Sequence, residues 1–401
     1  DPCDGVTCSG HGDCVVTDGQ ASCDCEEGYH AVGLECEEDQ TTSGVSTTPL
    51  QSGDRLPVIM FMINMRGSTS MAIYKQVIDL CATNHFTHVM LSFWLTHLKC
   101  PTLVNDGRFQ FNDAALTMAQ VQELVDYIVQ KGMKPVPGIR LLTHQDDTWN
   151  TLSGGVGASF PPSHEFMANK TTSNPESAEL TNLIYGCIDD MLPHFVVNGH
   201  NPDYFLIGHD ELAGHWPYYN DRWLTCDTYQ VSYSPCTGGT GCEHIVDATE
   251  FEDSIVGLRE HITQQHGVRI MMFPDSLIQH AELGPNASRF AGHAGCEEGP
   301  SNQLVQLRHR LPRDIYMMEW GSGSAGFAIL QDQEVFDVLF NAWPISGAEG
   351  GMRSMVDYML AHGHDHCGIQ VTEWNNISNH MDEVAHIIQV TGDYAWNTVK
   401  Q

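Results

Sequence analysis

The sequence predicts an α/β protein built as a (β/α)8 TIM barrel, with a small disulfide-rich segment ahead of it. Two observations carry this prediction. From Leu56 onward strand-like and helix-like segments alternate, the pattern of parallel βα units, and eight strand-like runs can be placed within residues 57–401. Before them, Cys3, Cys8, Cys14, Cys23, Cys25 and Cys36 crowd into a segment too short to bury a core of its own, so it must be stapled.

In chain order, residues 1–39 form the stapled segment. Residues 40–56, rich in Thr and Ser and poor in apolar side chains, read as a linker, and residues 57–401 hold the barrel. Pro57 to Met65 is the first strand and Met71 to Ala82 an amphipathic helix. Thr87 to Trp94 is the second strand. Asp113 is the expected cap of a helix that runs to Lys131 and stops at Gly132. Lys134 to Arg140 is the third strand, Pro175 opens a helix to Phe195, and Asp203 to Gly208 is the fourth strand. Thr249 is the expected cap of a helix ended by Gly267, followed by the fifth strand, Val268 to Phe273. Asp314 to Trp320 is the sixth. Val335 to Trp343 holds the seventh, although a helix fits its first half equally well. Met352 to His362 is helical, Gly368 to Trp374 is the eighth strand, and Met381 to Trp396 is a closing helix. A doubly wound open sheet is the competing architecture, but no Gly-x-Gly-x-x-Gly turn follows the first strand to support it.

Composition narrows the function classes. The 18 basic and 51 acidic residues give a formal charge of -33, which repels phosphate backbones and anionic lipids and argues against nucleic acid as a partner. No apolar run approaches the roughly 20 residues of a membrane helix, so no membrane insertion is expected. Fourteen cysteines point to an oxidising compartment, and Asn169, Asn286 and Asn376 head glycosylation sequons. The start at Asp1, without methionine or apolar leader, fits a mature secreted, extracellular product.

In a barrel of this kind the loops after the strands build the active site. The residues there are Arg66, Trp94, Arg140 with His144, His209 with Asp210 and Glu211, Asp275, Glu319 with Trp320, Trp343, and Glu373 with Trp374. Carboxylates for proton transfer and indoles for stacking on sugar rings make this a carbohydrate-site inventory.

Two resemblances follow from these residues. Residues 1–39, with their ending Cys23-Asp24-Cys25-Glu26-Glu27-Gly28-Tyr29, resemble an EGF-like module. That resemblance implies Cys3 paired with Cys14, Cys8 with Cys23 and Cys25 with Cys36. The acidic entry of calcium-binding EGF modules is missing, so no calcium is expected.

The barrel is similar to the glycoside hydrolase family 20 β-N-acetylhexosaminidases. Their fourth strand ends in Gly-Gly-Asp-Glu, where this chain has Gly208-His209-Asp210-Glu211. Arg66 matches their sugar-holding arginine, Leu141-Leu142-Thr143-His144 loosely matches a Met-Pro-Gly-His turn, and Trp320 and Trp374 match late tryptophans that wall the pocket. The departures are His209 for the second glycine, Asn64 where an aspartate is common, and an EGF-like module in place of the usual α/β domain. The resemblance implies substrate-assisted retaining hydrolysis, with Glu211 as general acid and base and Asp210 ionised to orient the 2-acetamido group. Arg66, Trp94, His144, His209, Asp275, Glu319, Trp320, Trp343, Glu373 and Trp374 would bind the glycan, with no cofactor and no metal. Neighbouring side chains on a regular strand point to opposite faces, so Asp210 and Glu211 can share a pocket only if the backbone leaves strand geometry near His209.

Other readings stay open. Glu373 or Glu319 would serve as nucleophile of a double-displacement glycosidase. His209, Asp210 and His215, or the loop His362-Gly363-His364-Asp365-His366, offer metal-type ligands without a familiar spacing. The chain would alternatively be a non-catalytic adhesion or fibre subunit that self-assembles, or binds an extracellular protein, through the EGF-like module. His85, His88 and His261 read as core or surface polar groups, and Met271, Met272, Met317 and Met318 as barrel filling. Each of Cys81, Cys100, Cys187, Cys226, Cys236, Cys242, Cys296 and Cys367 is expected in a disulfide, with at least one bridge inside the long loop after the fourth strand.

Overall fold

The computed structural model describes residues 3, 7–8, 12–17, 20–25, 29–32, 35–38, 56–65, 69–145, 155–161, 164–167, 172–210, 248–278, 280–283, 303–320, 323–342, 348–362, 367–373 and 377–397. Two compact units are present, Asp1–Ser46 and Thr47–Gln401. In the first, strands Gly12–Thr17 and Gln20–Cys25 pair antiparallel, as do Tyr29–Val32 and Glu35–Glu38. Cys3–Cys14 and Cys8–Cys23 are disulfide-bonded. The side chains of Cys25 and Cys36 lie outside the described residues, as do Cys226, Cys236, Cys242 and Cys296.

In the second unit eight parallel strands close a barrel in sequential order. They are Val58–Asn64, His88–Phe93, Lys134–Leu141, Tyr204–Gly208, Arg269–Met272, Tyr316–Trp320, Asp337–Ala342 and Gly368–Glu373. Closure comes from the eighth strand pairing with the first, Gly368 to Val58 through Glu373 to Ile63. The open-sheet alternative is thereby excluded.

Each strand is buried on both faces, so apolar residues run almost without interruption, as in Val-Ile-Met-Phe-Met-Ile-Asn from Val58 to Asn64. Alternation sends Met60, Met62, Met90, Val136, Leu206, Met271, Met318 and Leu339 into the barrel interior. Ile59, Phe61, Ile63, Met272 and Met317 pack outward under the helices. The four methionines of the two Met-Met pairs therefore fill two different cores. The same alternation carries buried polar residues to the C-terminal mouth of the barrel, namely Asn64, Ser92, Arg140, Asn341 and Thr372. The axis is oily in the middle and polar at that mouth.

Among the described residues nine α-helices accompany the strands, including Gln303–Arg310 and Gly323–Ala328, which composition does not announce. The first has a mean apolarity too low for a core helix, and the second reads Gly-Ser-Ala-Gly-Phe-Ala, a poor helix former. Helix starts also differ from expectation. The helix after the second strand spans Met118–Gln130 and is capped by Thr117, whose side chain accepts from Gln120 N while Gln120 Oε1 accepts from Thr117 N at 3.0 Å. Asp113 sits in a turn upstream. Local propensity made Asp113 attractive, but a capping box at Thr117 satisfies two orphan donors at once. Thr117→Ala should therefore cost about 1 kcal/mol in urea unfolding and Asp113→Ala almost nothing. Pro175 likewise precedes the helix Ala178–Met191, which Ser177 caps. Thr249 lies inside the helix Ala248–Arg259. The expected stop at Gly132 holds, with φ of +80°. The stretch before the seventh strand is not α-helical from Val335, whose φ is +58°.

Cys100 and Cys187 form a disulfide that ties the loop after the second strand to the helix preceding the fourth. The expectation that every remaining cysteine is bridged fails at Cys81 and Cys367, both buried and neither in a disulfide. Cys367 donates its Sγ–H to Gln331 Oε1 at 3.2 Å. No helix among the described residues is long and apolar enough to cross a membrane.

Candidate functional site

The site grows from the ends of the third and fourth strands, where both backbones leave strand geometry. The fourth strand carries a register shift between Leu206 and Gly208 against both neighbours. Gly208 and His209 then take left-handed φ values of +82° and +68°. Gly208 tolerates this because it has no Cβ, which would lie 3.3 Å from Arg140 Cα. His209 does so at a cost of about 1–3 kcal/mol, a strain that concentrates at functional segments. After the third strand Leu142 and His144 are also left-handed, at +68° and +54°. This loop is held by the buried Gln145, whose amide donates to Thr143 O at 2.7 Å and accepts from Val156 N at 3.0 Å. The expected departure from strand geometry near His209 is thus present.

The turn separates His209 from Asp210. His209 points outward and is fully buried under the next helix. Its Nδ1 lies 3.1 Å from Ile207 O and its Nε2 3.0 Å from Ser254 Oγ, with Phe251 packed alongside. A neutral ring satisfies both, with Nδ1–H donating to the carbonyl and Nε2 accepting the serine proton. Burial lowers its pKa to about 4 against the weaker opposing pull of the Ile207 carbonyl. Two expectations are corrected here. His209 is no glycan-contacting residue, and with both nitrogens engaged it is not offered as a metal ligand; the pleat and the left-handed turn turn it away from the mouth.

Asp210 points the other way, into the mouth, and is 5 % exposed. Arg140 Nη2 donates to its Oδ2, and His144 Nε2 lies 3.2 Å from the same oxygen. Burial by itself would raise the carboxyl pKa, but the Arg140 and His144 charges and hydrogen bonds outweigh it and hold Asp210 ionised well below the usual carboxylate range. Arg140 is in turn fixed by aromatic faces, its guanidinium 4.9 Å from the Trp94 ring and 5.6 Å from Phe273. Trp94 Nε1–H donates to His144 O at 3.2 Å, so the second and third strand ends lock together. One face of Trp94 is thereby occupied by Arg140. Two residues beyond Phe273, Asp275 accepts from Trp320 Nε1 at 3.3 Å, joining the fifth and sixth strand ends.

The structure therefore brings together Trp94, Arg140, His144 and Asp210, and separately Asp275 with Trp320. Glu319 is buried, but its strand pairs in regular register through Trp320, so alternation places it with Met317 on the outward face and away from Trp320. The pleat sends Glu319 and Trp320 to opposite faces, so Glu319 is not placed at the mouth as a glycan-binding or nucleophilic carboxylate. Arg66, Glu211, Trp343 and Trp374 lie outside the described residues, as do the side chain of Glu373, the sequon residues Asn169, Asn286 and Asn376, and His215, His364 and His366. Arg140, which the substrate-binding set lacked, is the side chain that holds Asp210. Its signal was present: it continues the inward-facing series of Val136 and Gly138 with a charge.

No family model and no curated protein matches the chain. Among solved structures, the chain is similar to the catalytic domain of β-amylase from Paenibacillus polymyxa, with a TM-score of 0.55 at 11 % identity, over 87 % of this chain and 100 % of that one. It is also similar to a chitobiase from Flavobacterium johnsoniae, with a TM-score of 0.53 at 13 % identity, over 86 % of this chain and 48 % of that one. A third similar structure is a Vibrio harveyi exo-β-N-acetylglucosaminidase of glycoside hydrolase family 20 in complex with N-acetylglucosamine, with a TM-score of 0.49 at 14 % identity, over 86 % of this chain. The chain spans 57 % of the length of that enzyme. The β-amylase and the chitobiase are named for different activities, so what they share with this chain is the closed parallel barrel with its surrounding helices, and the fold is all the likeness establishes.

Proposed function

We propose that the barrel unit is a secreted glycoside hydrolase acting on N-acetylhexosamine-containing glycans. The observation that carries this reading is Asp210: an ionised carboxylate at the polar mouth, held at Oδ2 by Arg140 and His144, so that among the described residues Oδ1 is the oxygen placed to accept from a substrate amide. In the substrate-assisted reaction implied by the sequence resemblance, the 2-acetamido oxygen attacks the anomeric carbon. Glu211 gives its proton to the leaving oxygen and later takes one from water as the oxazolinium opens. Asp210 orients the acetamido N–H and stabilises its developing positive charge. The ordinarily costly conformation of His209 supports this, since it is the turn that separates Asp210 from strand alternation. Trp320 and Asp275 would line the sugar, and the disulfide-rich unit, EGF-like in its cysteine pattern, would serve as an extracellular contact module for self-assembly or a protein partner.

A binding-only role is the second reading, and the doubly held Asp210 favours it, because a buried ion pair of this kind also keeps a retired site folded. Incubation with chromogenic N-acetylglucosaminide, N-acetylgalactosaminide and plain glucoside separates them. The hydrolase reading expects turnover of acetamido sugars alone, lost in Glu211→Gln and strongly reduced in Asp210→Asn. Silence on all three, with N-acetylhexosamine still bound, supports the binding role; turnover of the plain glucoside with loss on Glu373→Gln would overturn both in favour of double displacement.

A further inference from the structure

Away from the barrel mouth, Asp189, His261 and His266 gather three potential metal-ligand atoms within 4.8 Å of one another. Asp189 lies near the end of the helix Ala178–Met191, and both histidines lie on the segment between the fourth and fifth strands. His261 Nε2 and His266 Nε2 each stand 2.8 Å from the same oxygen, Asp189 Oδ1.

The convergence has a backbone cause. Residues five apart on an α-helix stand about 140° apart around the axis, which would point the two imidazoles away from each other. Here Glu260–Gln264 forms a π-helical turn. Its i→i+5 bonding stacks such residues one above the other, an insertion that is rare and frequent at functional sites. The ring centroids consequently lie 5.6 Å apart. His261 is further oriented by Tyr185, stacked parallel at 4.1 Å, and the chain at His266 is pinned by Asn201 Nδ2 donating to its carbonyl.

We propose that Asp189, His261 and His266 form a binding site for a divalent transition ion of the zinc class, with water completing the coordination. Two imidazoles and one carboxylate are the donor set such ions favour. Bonds of about 2.0–2.2 Å around one ion put ligand atoms about 3.0–3.5 Å apart, so the two 2.8 Å contacts to Asp189 need to open by about half an ångström, while the two imidazole nitrogens, within 4.8 Å of each other, adjust to the same spacing. Asp189 and His266 are partly exposed, which gives the ion a way in, and the net charge of -33 raises the local concentration of cations. The ion would clip the helix before the fourth strand to the helix before the fifth. Its role is structural and independent of the proposed chemistry at Asp210.

The test uses the full chain without an affinity tag, stripped with chelator and titrated with Zn²⁺ against a chromogenic competitor. His266→Asn should bind one fewer Zn²⁺ per chain, or bind it roughly tenfold or more weakly for the loss of one ligand in three, and lose the zinc-dependent rise in Tm. His85→Asn, at an exposed position outside this cluster, should leave both unchanged. Co²⁺ loading should give visible absorption bands in the wild type that His266→Asn and Asp189→Asn lack. Equal stoichiometry, equal Tm shift and equal cobalt spectra in wild type and His266→Asn would overturn the site and leave a purely hydrogen-bonded triad. Because His266 is on the surface, that variant keeps the test decisive if the buried His261→Asn fails to fold.

Discussion

Arg140→Met is expected to destabilise the barrel unit by about 3–5 kcal/mol, the cost of removing one partner from a buried ion pair. Arg140 is 2 % exposed and holds Asp210 at its Nη2, between the faces of Trp94 and Phe273. Methionine keeps much of the apolar contact with both rings but leaves a buried carboxylate with His144 as its remaining neighbour. The Asp210 pKa must then rise, since burial already pushes it upward and the main opposing charge is gone. The double variant Arg140→Met/Asp210→Asn removes the stranded charge and should recover a large part of the loss. Urea unfolding of the four proteins at neutral pH measures the coupling directly. A single variant within about 1 kcal/mol of wild type would mean that Asp210 is solvated in a way its burial denies. In the proposed reaction Arg140 is a positioning residue, so any folded Arg140 variant should also show an altered pH profile of turnover, which a merely structural role would not produce.

The barrel was legible because its signals are local. Eight apolar runs bounded by turn residues, spaced by amphipathic segments, need no long-range information, and strand positions came within a few residues of those observed. What failed depended on competition or on distance. Asp113 and Thr117 are both good caps, and the reciprocal bond from Gln120 decides between them. The helix Gly323–Ala328 forms against its own propensity because Phe327 is fully buried. At the site, the sequence shows which residues stand at strand ends but not which face each one takes. Glu319 and Trp320 are neighbours in sequence and opposite in direction. Arg140 and Asp210 are 70 residues apart and share a hydrogen bond. The meeting of His261 with His266 was hidden for a related reason, since it needs a π turn that no composition rule foretells.

Stability should fall by about 3 kcal/mol as the pH drops from neutrality to 4, with much of that loss traceable to His209. Burial lowers the folded pKa of this imidazole to about 4, from 6.5 for the ordinary group. Between those values the unfolded chain takes up a proton that the folded chain refuses, so unfolding gains with every step toward acid. Above about pH 7 both states are neutral at this position and the contribution is flat. The physical reason is the pair of bonds that a neutral ring alone can make, Nδ1–H to Ile207 O and Nε2 from Ser254, in a layer that water does not reach. His209→Asn tests this, because asparagine tolerates the left-handed backbone and does not titrate. Its absolute stability will be lower, so the decisive quantity is the slope of unfolding free energy against pH between 4 and 6.5, which should be shallower than wild type by close to the whole His209 contribution. Asp210 acts in a different window: its depressed folded pKa contributes stability above the ordinary carboxylate value, lost only as the pH falls below it. Acid lability that begins near pH 6 therefore belongs to His209, and an unchanged slope in His209→Asn would move its origin away from this imidazole.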